Sequence, residues 1–303
     1  MLTANEPATS VVIPTYQRPE QLLACLNAVS RLDYTRTRLE VVVVNDGGDL
    51  PPEAALAPLR ERVDLTVVSQ RNAGPAAARN AGAARAGGEI LAFTDDDCTP
   101  EAGWLRALVA RVVADPECMA GGRTVNALPA NAYATGSQLL IDYLYAHYNR
   151  EGARFFTSNN FALAASQYRE LGGFDATFPR AAGEDRDFCD RWQLRGLRMT
   201  YAPDAVVRHA HAMTLGAFAR QHFEYGRAAY TVHRARAARG ERPLEVEPPS
   251  FYLRLLAYPF ARRVGARAPA LTALLAVSQA MNAAGFFWAR LAGELSPDAA
   301  PLL

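Results

Sequence analysis

The sequence contains no lysine, and all 32 of its basic side chains are arginines. A P-loop NTPase site, a pyridoxal Schiff base and a lysine general base each need an ε-amine, so the sequence excludes these three kinds of site. A coding bias towards alanine, arginine and glycine explains the absence without reference to function. A single arginine is therefore weak evidence for a functional site.

Cysteine is scarce, and the first residues do not show the pattern expected of an export signal. The four cysteines, Cys25, Cys98, Cys118 and Cys189, are far apart and show no CxxC spacing. This pattern is typical of a reduced chain without disulfides or structural zinc. The first apolar run, Val11–Ile13, leads directly into a proline, unlike the long apolar run of a signal peptide. We therefore expect a cytoplasmic protein.

The net charge of +1 hides an asymmetry along the chain. Residues 1–200 carry 20 arginines and 24 acids, a net charge of −4, whereas residues 201–303 carry 12 arginines and 7 acids, a net charge of +5. The basic character therefore lies in the C-terminal third.

Short β-branched runs alternate with helical stretches over the first 114 residues. Continuous apolar strands separated by helices indicate a parallel sheet that is covered on both faces, which is an α/β nucleotide-fold pattern. The predicted strands are Val11–Ile13, Leu39–Val44, Asp64–Val68 and Ile90–Phe93, and the predicted helices are Glu20–Ser30, Pro75–Ala86 and Trp104–Ala114.

The pattern is less regular after residue 120. The sequence predicts a loop-rich polar stretch through Asn159 and Asn160 and a proline-rich linker over Glu241–Ser250, followed by an apolar helical tail. The other predicted elements are a strand near Met119–Val125, helices over Ala134–Tyr148, Glu184–Arg195 and Leu215–Arg239, and an extended Tyr201–His209 segment.

Polar segments follow each of the first four predicted strands. Open α/β sheets bind ligands at the carboxyl ends of their strands, so we expect these segments to meet at one rim. They are Pro14–Arg18, Asn45–Gly48, Ser69–Asn72 and Thr94–Asp97.

Asp95, Asp96 and Asp97 form the most prominent acidic segment of this rim. Alternate residues of an extended segment project to one side, so Asp95 and Asp97 can face one ion that offsets their repulsion. Carboxylates that act together with substrate phosphates suit Mg²⁺ or Mn²⁺. The alternative is a solvated acidic turn that caps the helix beginning at Trp104.

Asp46 follows four valines and precedes two glycines. Its carboxylate can accept a hydrogen bond from a nucleobase; the alternative is a turn residue satisfied by its own backbone. The Asn72–Gly82 segment opens a helix whose N-terminus suits an anion, and Arg79 and Asn80 on that helix are candidates to reach a diphosphate.

A second acidic cluster, Gly183–Asp187, and two histidines follow later in the chain. A carboxylate of the cluster can act as a general base, or the acids can simply stabilise a helix N-terminus. His209 and His211 share one face of the extended segment. Either they complete a metal site with Asp97, or they are ordinary polar side chains.

Five segments together resemble the family 2 glycosyltransferases of the GT-A fold, over roughly residues 8–230. The resemblance implies an α/β fold with a Rossmann-like mixed sheet flanked by helices and a C-terminal helical tail. It also implies inverting transfer from a nucleotide-diphosphate sugar with Mn²⁺ or Mg²⁺. The segments are Val11–Arg18, Val41–Gly48, Asn72–Gly82, Phe93–Asp97 and Gly183–Asp185.

The resemblance also implies roles for individual residues. Asp185 would be the catalytic base, and the metal would be held by Asp95, Asp97 and His209, with Asp97 favoured as the direct ligand. The third acid, Asp96, departs from the family pattern and leaves this assignment open by one residue. The donor side would comprise Pro14, Thr15, Tyr16, Asp46, Arg79, Asn80, Asp95 and Asp96, and the acceptor side Asn159, Asn160 and Glu184.

The resemblance further bears on the kind of product. The processive Gln-x-x-Arg-Trp motif is absent, because the related helix contains Arg191–Arg195 in the order Arg-Trp-Gln-Leu-Arg. We therefore expect single additions, in cell-envelope or glycoconjugate synthesis, to a glycan or lipid-linked acceptor. No nucleic-acid partner is expected.

The predicted domains are a glycosyltransferase domain over residues 1–240 and a linker with an apolar and basic tail over 241–303. Residues 8–125 would form the donor-binding half of the first domain, and 126–240 the acceptor half. Within the tail, Ala268–Ala289 is uncharged and as a helix would span about 33 Å, against about 30 Å for a bilayer core.

Three arrangements of this tail remain open from the sequence. One is a membrane span, although alanine, Pro269 and polar residues argue against easy insertion. The second is packing within the protein or a dimer. The third is an interfacial helix, through which residues 251–291 would bind the inner face of the plasma membrane with the help of arginines. These are Arg254, Arg262, Arg263 and Arg267.

The sequence also bears on two other kinds of enzyme and on one alternative without activity. A sugar-phosphate nucleotidyltransferase normally needs a glycine-rich basic loop after the first strand, and Thr15–Glu20 has no glycine. The same segment lacks the G-x-G-x-x-G turn of a nicotinamide dehydrogenase. A catalytically inactive carbohydrate-binding or scaffold protein of the same fold is the other alternative. The joint presence of Asp46, Asp95, Asp97 and Asp185 argues against it.

Overall fold

A computed structural model describes residues 6–149, 152–178, 182–242 and 245–293. The chain divides into two compact units, one formed by residues 1–127 and 148–210 and the other by residues 128–147 and 211–303. The domain boundary predicted after residue 240 falls inside the second unit.

One eight-stranded sheet forms the framework of the first unit. The strand order is β3-β2-β1-β4-β7-β6-β8-β5, and the strands are β1 (Thr9–Thr15), β2 (Leu39–Asn45), β3 (Asp64–Ser69), β4 (Ile90–Phe93), β5 (Cys98–Pro100), β6 (Cys118–Asn126), β7 (Phe161–Ala164) and β8 (Arg198–His209). The neighbours from β3 to β4 are parallel, whereas β7 runs antiparallel to β4 and β6. The predicted mixed α/β sheet is confirmed.

Helices cover this sheet and build the second unit. The helices of the first unit are α1 (Pro19–Val29), α2 (Glu53–Arg60), α3 (Pro75–Arg85), α4 (Trp104–Ala114), α6 (Ala165–Leu171) and α7 (Glu184–Leu194). The helices of the second unit are α5 (Ala132–Tyr148), α8 (Leu215–Ala238), α9 (Pro249–Ala261) and α10 (Ala268–Ala292). The last residue of α5, Tyr148, is counted with the first unit.

The valines of β2 show why its apolar run is continuous. All four, Val41–Val44, are fully buried, because both faces of the strand are covered. One face packs in a cluster with Leu26 of α1, and the other packs against Ala78 of α3. Gly82 lets α3 lie directly on the sheet, since a Cβ there would collide with Val12. The buried strands thus hold their carboxyl ends in fixed positions.

In the second unit, α8 and α10 touch at two glycines. A Cβ at Gly226 would collide with the carbonyl oxygen of Asn282, and a Cβ at Gly285 with that of Phe223. Such close backbone contact fixes one face of α10 against α8.

Replacement of Gly226 by alanine is expected to lower the stability of the second unit by roughly 1–3 kcal/mol, because the backbone of α10 must move away. Gly216→Ala is the matched control, since that position on α8 has open space around a Cβ. Urea unfolding followed by circular dichroism measures both. Equal midpoints for the two variants would contradict the close contact.

Candidate active site

A cleft of about 630 Å³ lies at the carboxyl ends of β1, β2 and β3. Its lining brings together residues from the ends of β1, β2 and β3, three of the four polar strand ends expected at one rim. Asn45 shapes the wall by hydrogen bonds to both the N–H and the carbonyl of Gly48, at 2.9 and 2.8 Å. The lining residues are Gln17, Pro19, Asn45, Gly47, Gly48, Asp49, Ser69 and Gln70.

The first three residues predicted on the donor side differ in exposure. Pro14 is half-buried in β1, Thr15 is buried, and Tyr16 is 45% exposed. Thr15 donates to Asp96 at 2.8 Å and so supports the acidic segment. Tyr16 is therefore the one of the three whose ring is open to a ligand.

Asp46 is buried beside the cleft, and it anchors the segment after β3. One carboxylate oxygen accepts from the Gln70 side chain at 2.7 Å and from the Ala73 N–H at 2.9 Å, and the other accepts from the Gly74 N–H at 2.9 Å. A carboxylate has about four acceptor sites, so capacity remains for one more donor. Contact with a nucleobase stays a prediction.

The three consecutive aspartates face different partners. The chain turns at Asp96 and Asp97, with the Cys98 N–H donating to the Asp95 carbonyl, so the alternation of an extended segment does not apply. Asp95 pairs with Arg79 at 2.6 Å, whereas Asp97 lies 3.3 Å from His209. Asp95 and Asp97 thus have different partners within the protein, and their joint binding of one ion stays a prediction.

Asp97, Cys98 and His209 form the cluster that can hold a metal within the described residues. Their ligand atoms lie within 4.8 Å of one another. Burial and the neighbouring aspartates raise the pKa of the Cys98 thiol, so it stays neutral and is a poor ligand for a hard cation. A carboxylate and an imidazole suit Mn²⁺ or Mg²⁺, and the cluster thus fits such an ion through Asp97 and His209.

His209 is positioned by its strand pairing at the end of β8. Burial by itself lowers its pKa, but the hydrogen bond and charge of Asp97 outweigh this effect and leave the pKa raised. A metal ligand must be a neutral imidazole, so protons compete with a cation at this residue. His211, its predicted companion, belongs to the second unit.

Arg18 is a residue of this site that the sequence interpretation missed. Its guanidinium donates to Asp96 at 3.2 Å and to Asp97 at 2.9 Å. Burial raises the pKa of Asp96 to about 6, although Arg18 and Thr15 oppose this shift. Arg18 ends one of the strand-end segments singled out above, but the arginine-rich composition concealed its importance.

Arg79 links the acidic turn to the start of α7. Its guanidinium is 3% exposed and donates to Asp95 and to Glu184 at 2.6 and 3.0 Å. These contacts engage the group expected to hold a diphosphate, so the structure makes Arg79 a positioning residue. Arg79 thereby connects Asp95, just after β4, to α7, the helix that carries Asp185.

Asn80, also expected on the donor side, instead holds the Gly173–Phe174 turn. Its carbonyl oxygen accepts from the Tyr168 hydroxyl at 2.6 Å and from the Phe174 N–H at 2.9 Å, and its amide donates to the Phe174 carbonyl at 2.8 Å. Three hydrogen bonds inside the protein direct this side chain away from a donor role.

The acids at the N-terminus of α7 separate into two kinds. Glu184 is buried and pairs with Arg79, and the fully buried Asp187 pairs with Arg191 at 2.7 Å. Asp185 is half-buried and accepts from the Arg186 N–H at 2.8 Å. Among the described residues no ion pair reaches Asp185. Burial raises its pKa, and the absence of a direct ion pair leaves its carboxylate suited to act as a base.

The two asparagines expected on the acceptor side lie in different environments. Asn160 is fully buried, accepts from the Trp104 indole at 2.8 Å and donates to the Ala205 carbonyl, so it supports the core and does not face an acceptor. Asn159 accepts from the Thr157 hydroxyl at 2.8 Å, and its amide lies 3.7 Å from the Cys98 sulfur. Asn159 therefore borders the metal-binding cluster.

A stability measurement tests the environment of Glu184. Burial and Asp185 raise the pKa of Glu184 from 4.5 to about 7, although Arg79 opposes this. The folded state thus keeps a proton that the unfolded state has lost, so the residue lowers the free energy of unfolding as pH rises through this range. The free energy of unfolding of Glu184→Gln, relative to that of the wild type, should therefore increase as the pH rises from about 5 to about 8.

Urea unfolding at the two pH values gives this difference. The exposed Glu170→Gln is the control, and its stability relative to the wild type should not change with pH. A Glu184→Gln difference that is equally independent of pH would contradict the raised pKa.

Comparison with known proteins identifies the family and the fold. The family described as "Glycosyl transferase family 2" matches residues 10–172, and "N-terminal domain of galactosyltransferase" matches residues 138–214. Glycosyltransferase AglE of Haloferax volcanii is 26% identical over 234 residues, which cover 76% of each chain. Pre-mycofactocin glycosyltransferase of Mycobacterium tuberculosis is 32% identical over 211 residues, which cover 67% of this chain and 44% of that protein.

Among solved structures, the mannosyltransferase PcManGT of Pyrobaculum calidifontis, in complex with GDP-Man and Mn²⁺, has the same fold. Its TM-score is 0.60 at 23% identity, and the match covers 97% of this chain and 82% of that one. The family match extends over more than half of the sequence, and the resemblance of the five segments is confirmed. The chain therefore belongs to glycosyl transferase family 2 and is a glycosyltransferase with the GT-A fold.

Proposed function

We propose that the enzyme transfers a sugar from a nucleoside-diphosphate donor to an acceptor hydroxyl, with inversion and with the help of a divalent cation. The observation that carries this proposal is the Asp95–Arg79–Glu184 bridge. The bridge joins Asp95, in the acidic turn that also contains Asp97, to Glu184, the neighbour of Asp185, and so connects the proposed metal ligand with the proposed base. The complex of PcManGT with GDP-Man and Mn²⁺, a protein of the same fold, supports the choice of donor and cation.

The donor side rests on the cleft and on Asp97 with His209. Asp97 and His209 would hold the cation, which when bound neutralises the charge that develops on the departing diphosphate. The cleft at the ends of β1 to β3 would take the base, with Tyr16 exposed at its edge and Asp46 supporting the wall.

Asp185 would remove the proton from the acceptor hydroxyl as that oxygen attacks the anomeric carbon. Attack opposite to the leaving diphosphate inverts the configuration and needs no covalent enzyme intermediate. Of the acids at the start of α7, Asp185 is the one not held by an arginine, which supports this role.

A donor screen tests the proposed reaction. Purified enzyme is given UDP-, GDP- or dTDP-sugars with Mn²⁺, and release of nucleoside diphosphate is measured with and without candidate glycan acceptors. Release from one donor class that depends on metal and is lost in Asp97→Asn supports the proposal. Pyrophosphate release from a nucleoside triphosphate and a sugar phosphate would instead indicate a nucleotidyltransferase. No turnover and no nucleotide binding would indicate an inactive scaffold.

The acceptor is proposed to be a glycan or a lipid-linked molecule that receives one sugar per encounter. The order of residues in Arg191–Arg195 supports single addition, since it lacks the motif of processive synthases. A role in cell-envelope or glycoconjugate synthesis follows as part of the same proposal. Analysis of product length with a defined acceptor tests it, and long polymers would contradict it.

We also propose that the second unit lies on an anionic membrane surface through α10. Within the described residues, Gly265–Ala292 is the helical segment long and apolar enough to cross a membrane, by length and composition only. One face of α10 is exposed and wholly apolar along its length. Its residues are Ala273, Ala276, Val277, Ala280, Ala284, Phe287, Trp288 and Leu291.

The opposite face of α10 argues for a position on the surface rather than a span. Gly285 is held against α8, which carries five charged side chains and is unsuited to a bilayer core. Crossing the membrane would require α10 to leave α8. An interfacial helix keeps this contact and buries only its exposed face in lipid.

Charge favours an anionic lipid surface over a second copy of the chain. The described part of the second unit has 11 arginines and 5 acids, a net charge of +6. Two such units would repel each other, whereas each arginine near an anionic surface contributes about 1 kcal/mol to binding. Arg262, Arg263 and Arg267 lie exposed between α9 and α10.

Tryptophan fluorescence tests this surface. Trp104 and Trp192 are fully buried and Trp288 is 59% exposed, so binding should shift the emission of Trp288 to the blue. We expect the shift with vesicles that contain phosphatidylglycerol and not with phosphatidylcholine alone. Phe287→Ser combined with Leu291→Ser should weaken binding roughly tenfold or more, since apolar burial is lost.

Leu194→Ser, which alters an exposed leucine of the first unit, is the control and should bind like the wild type. Equal binding to neutral vesicles would contradict the role of charge. A blue shift without lipid that grows with protein concentration would show that a second copy covers α10 instead.

A further inference from the structure

Arg18 lies between the cleft and the acidic turn. Its two neighbours in the chain, Gln17 and Pro19, line the cleft, while its guanidinium lies on Asp96 and Asp97. The Arg18 side chain is 43% exposed, whereas each of the two carboxylates is 6% exposed. A partly solvated cation therefore covers two buried anions at the edge of the proposed donor site.

Neutralisation explains why Arg18 is in this position. Two buried carboxylates side by side repel each other and need a positive partner. Asp97 is also the carboxylate that we assign to the cation, through its proximity to His209. A divalent cation at Asp97 and the Arg18 guanidinium would lie within a few ångströms of each other and repel, so the two compete for one carboxylate.

The backbone before Arg18 is held in place, so any movement must come from the Arg18 side chain. Gln17 has a φ of +55°, and its backbone lies so close to Gly48 that a Cβ on that glycine would contact it. These contacts fix the main chain that precedes Arg18. The Arg18 side chain, by contrast, is 43% exposed, so the protein does not enclose it.

We propose that Arg18 is an exchangeable counter-ion. It neutralises Asp96 and Asp97 when no divalent cation is bound, and it turns to the donor diphosphate when a cation occupies Asp97. This inference rests on the proposed function. It also explains how a chain without lysine brings a positive side chain to the diphosphate, because Arg79 is buried between two carboxylates whereas the Arg18 side chain is 43% exposed. A planar guanidinium suits phosphate oxygens well.

Arg18→Gln should change two affinities in opposite directions. Mn²⁺ binding to nucleotide-free protein, followed by electron paramagnetic resonance, should become roughly 5- to 10-fold tighter, since the competing charge is gone. Binding of UDP or GDP at saturating Mn²⁺, followed by calorimetry, should become roughly tenfold weaker, since a charge-assisted hydrogen bond is lost. In the presence of a chelator the variant should melt below the wild type, and Mn²⁺ should restore its melting temperature.

Arg31→Gln is the matched control. Arg31 is exposed beyond the other end of α1, so its loss removes the same charge without touching the acids. Both affinities should stay at the wild-type values. Arg18→Lys is the second variant in case Arg18→Gln does not fold. It keeps the charge, so Mn²⁺ affinity should stay near that of the wild type while nucleotide affinity falls.

The outcomes separate this inference from the proposed function. Unchanged or weaker Mn²⁺ binding in Arg18→Gln would overturn the exchange, and unchanged nucleotide binding would overturn the contact with the diphosphate. In either case the proposed function stands if the wild type binds nucleotide in a metal-dependent way. A wild type that binds neither Mn²⁺ nor nucleotide overturns both.

Discussion

Replacement of Asp185 by asparagine is expected to lower the turnover number by about 100-fold or more, with donor binding close to that of the wild type. A positioned general base typically contributes 10²- to 10⁴-fold, and an amide cannot take up the proton of the acceptor hydroxyl. The asparagine oxygen can still accept from the Arg186 N–H, so the start of α7 should keep its geometry. Steady-state kinetics with a saturating donor gives the turnover number, and calorimetry gives donor affinity.

Glu184→Gln is the control for this prediction, because it neutralises the adjacent acid. Glu184 is held by Arg79, so its loss should change turnover much less than the loss of Asp185. The opposite result, with Asp185→Asn near the wild type and Glu184→Gln inactive, would assign the base to Glu184.

The same base sets an expectation for the pH dependence of turnover. Burial raises the pKa of Asp185 above its ordinary value, and the residue acts as a base only when it is ionised. Turnover should therefore fall as pH decreases through this raised pKa. The acidic limb of the profile should disappear in the residual activity of Asp185→Asn.

The parts of the fold that the sequence predicted are those with a local cause. Val41–Val44 is a continuous apolar run because both faces of β2 are covered, and such a run is visible in the sequence. β5 and β7 were missed, because their pairing depends on strands that are distant in the sequence. α2 was missed as well, because Pro58 interrupts its helical signal.

The candidate site was also only partly predictable from the sequence. The general rule that ligands bind at strand ends located Asp46 and the three aspartates correctly at one rim. The partners of these acids depend on contacts between distant residues. Arg79 and Glu184 are 105 positions apart, and Arg18 and Asp96 are 78 positions apart. The turn at Asp96 then decides which acid faces His209, and no spacing in the sequence encodes it.

Chelation of divalent cations is expected to abolish sugar transfer, with a loss on the order of 10²- to 10³-fold or more. A bound cation contributes several kcal/mol to the stabilisation of a charged transition state, and each 1.36 kcal/mol corresponds to a factor of ten. This chain has few substitutes for it. It has no lysine, and Arg79 is engaged by Asp95 and Glu184. Activity that survives exhaustive chelation would overturn the prediction.

Paired variants of the acidic turn connect this loss to particular ligands. Asp97→Asn and His209→Ala should each lose Mn²⁺ binding and activity, because these two side chains form the cluster that fits the ion. Asp95→Asn should keep most Mn²⁺ affinity, since Asp95 faces Arg79. In an extended segment Asp95 and Asp97 would face the same ion, so this variant tests whether the turn keeps Asp95 away from it. Mn²⁺ binding should also weaken as pH falls through the raised pKa of His209, where protons displace the cation from the imidazole. Equal loss of Mn²⁺ binding in Asp95→Asn and Asp97→Asn would show that the ion draws Asp95 away from Arg79. The Asp95–Arg79–Glu184 bridge would then have to open during donor binding.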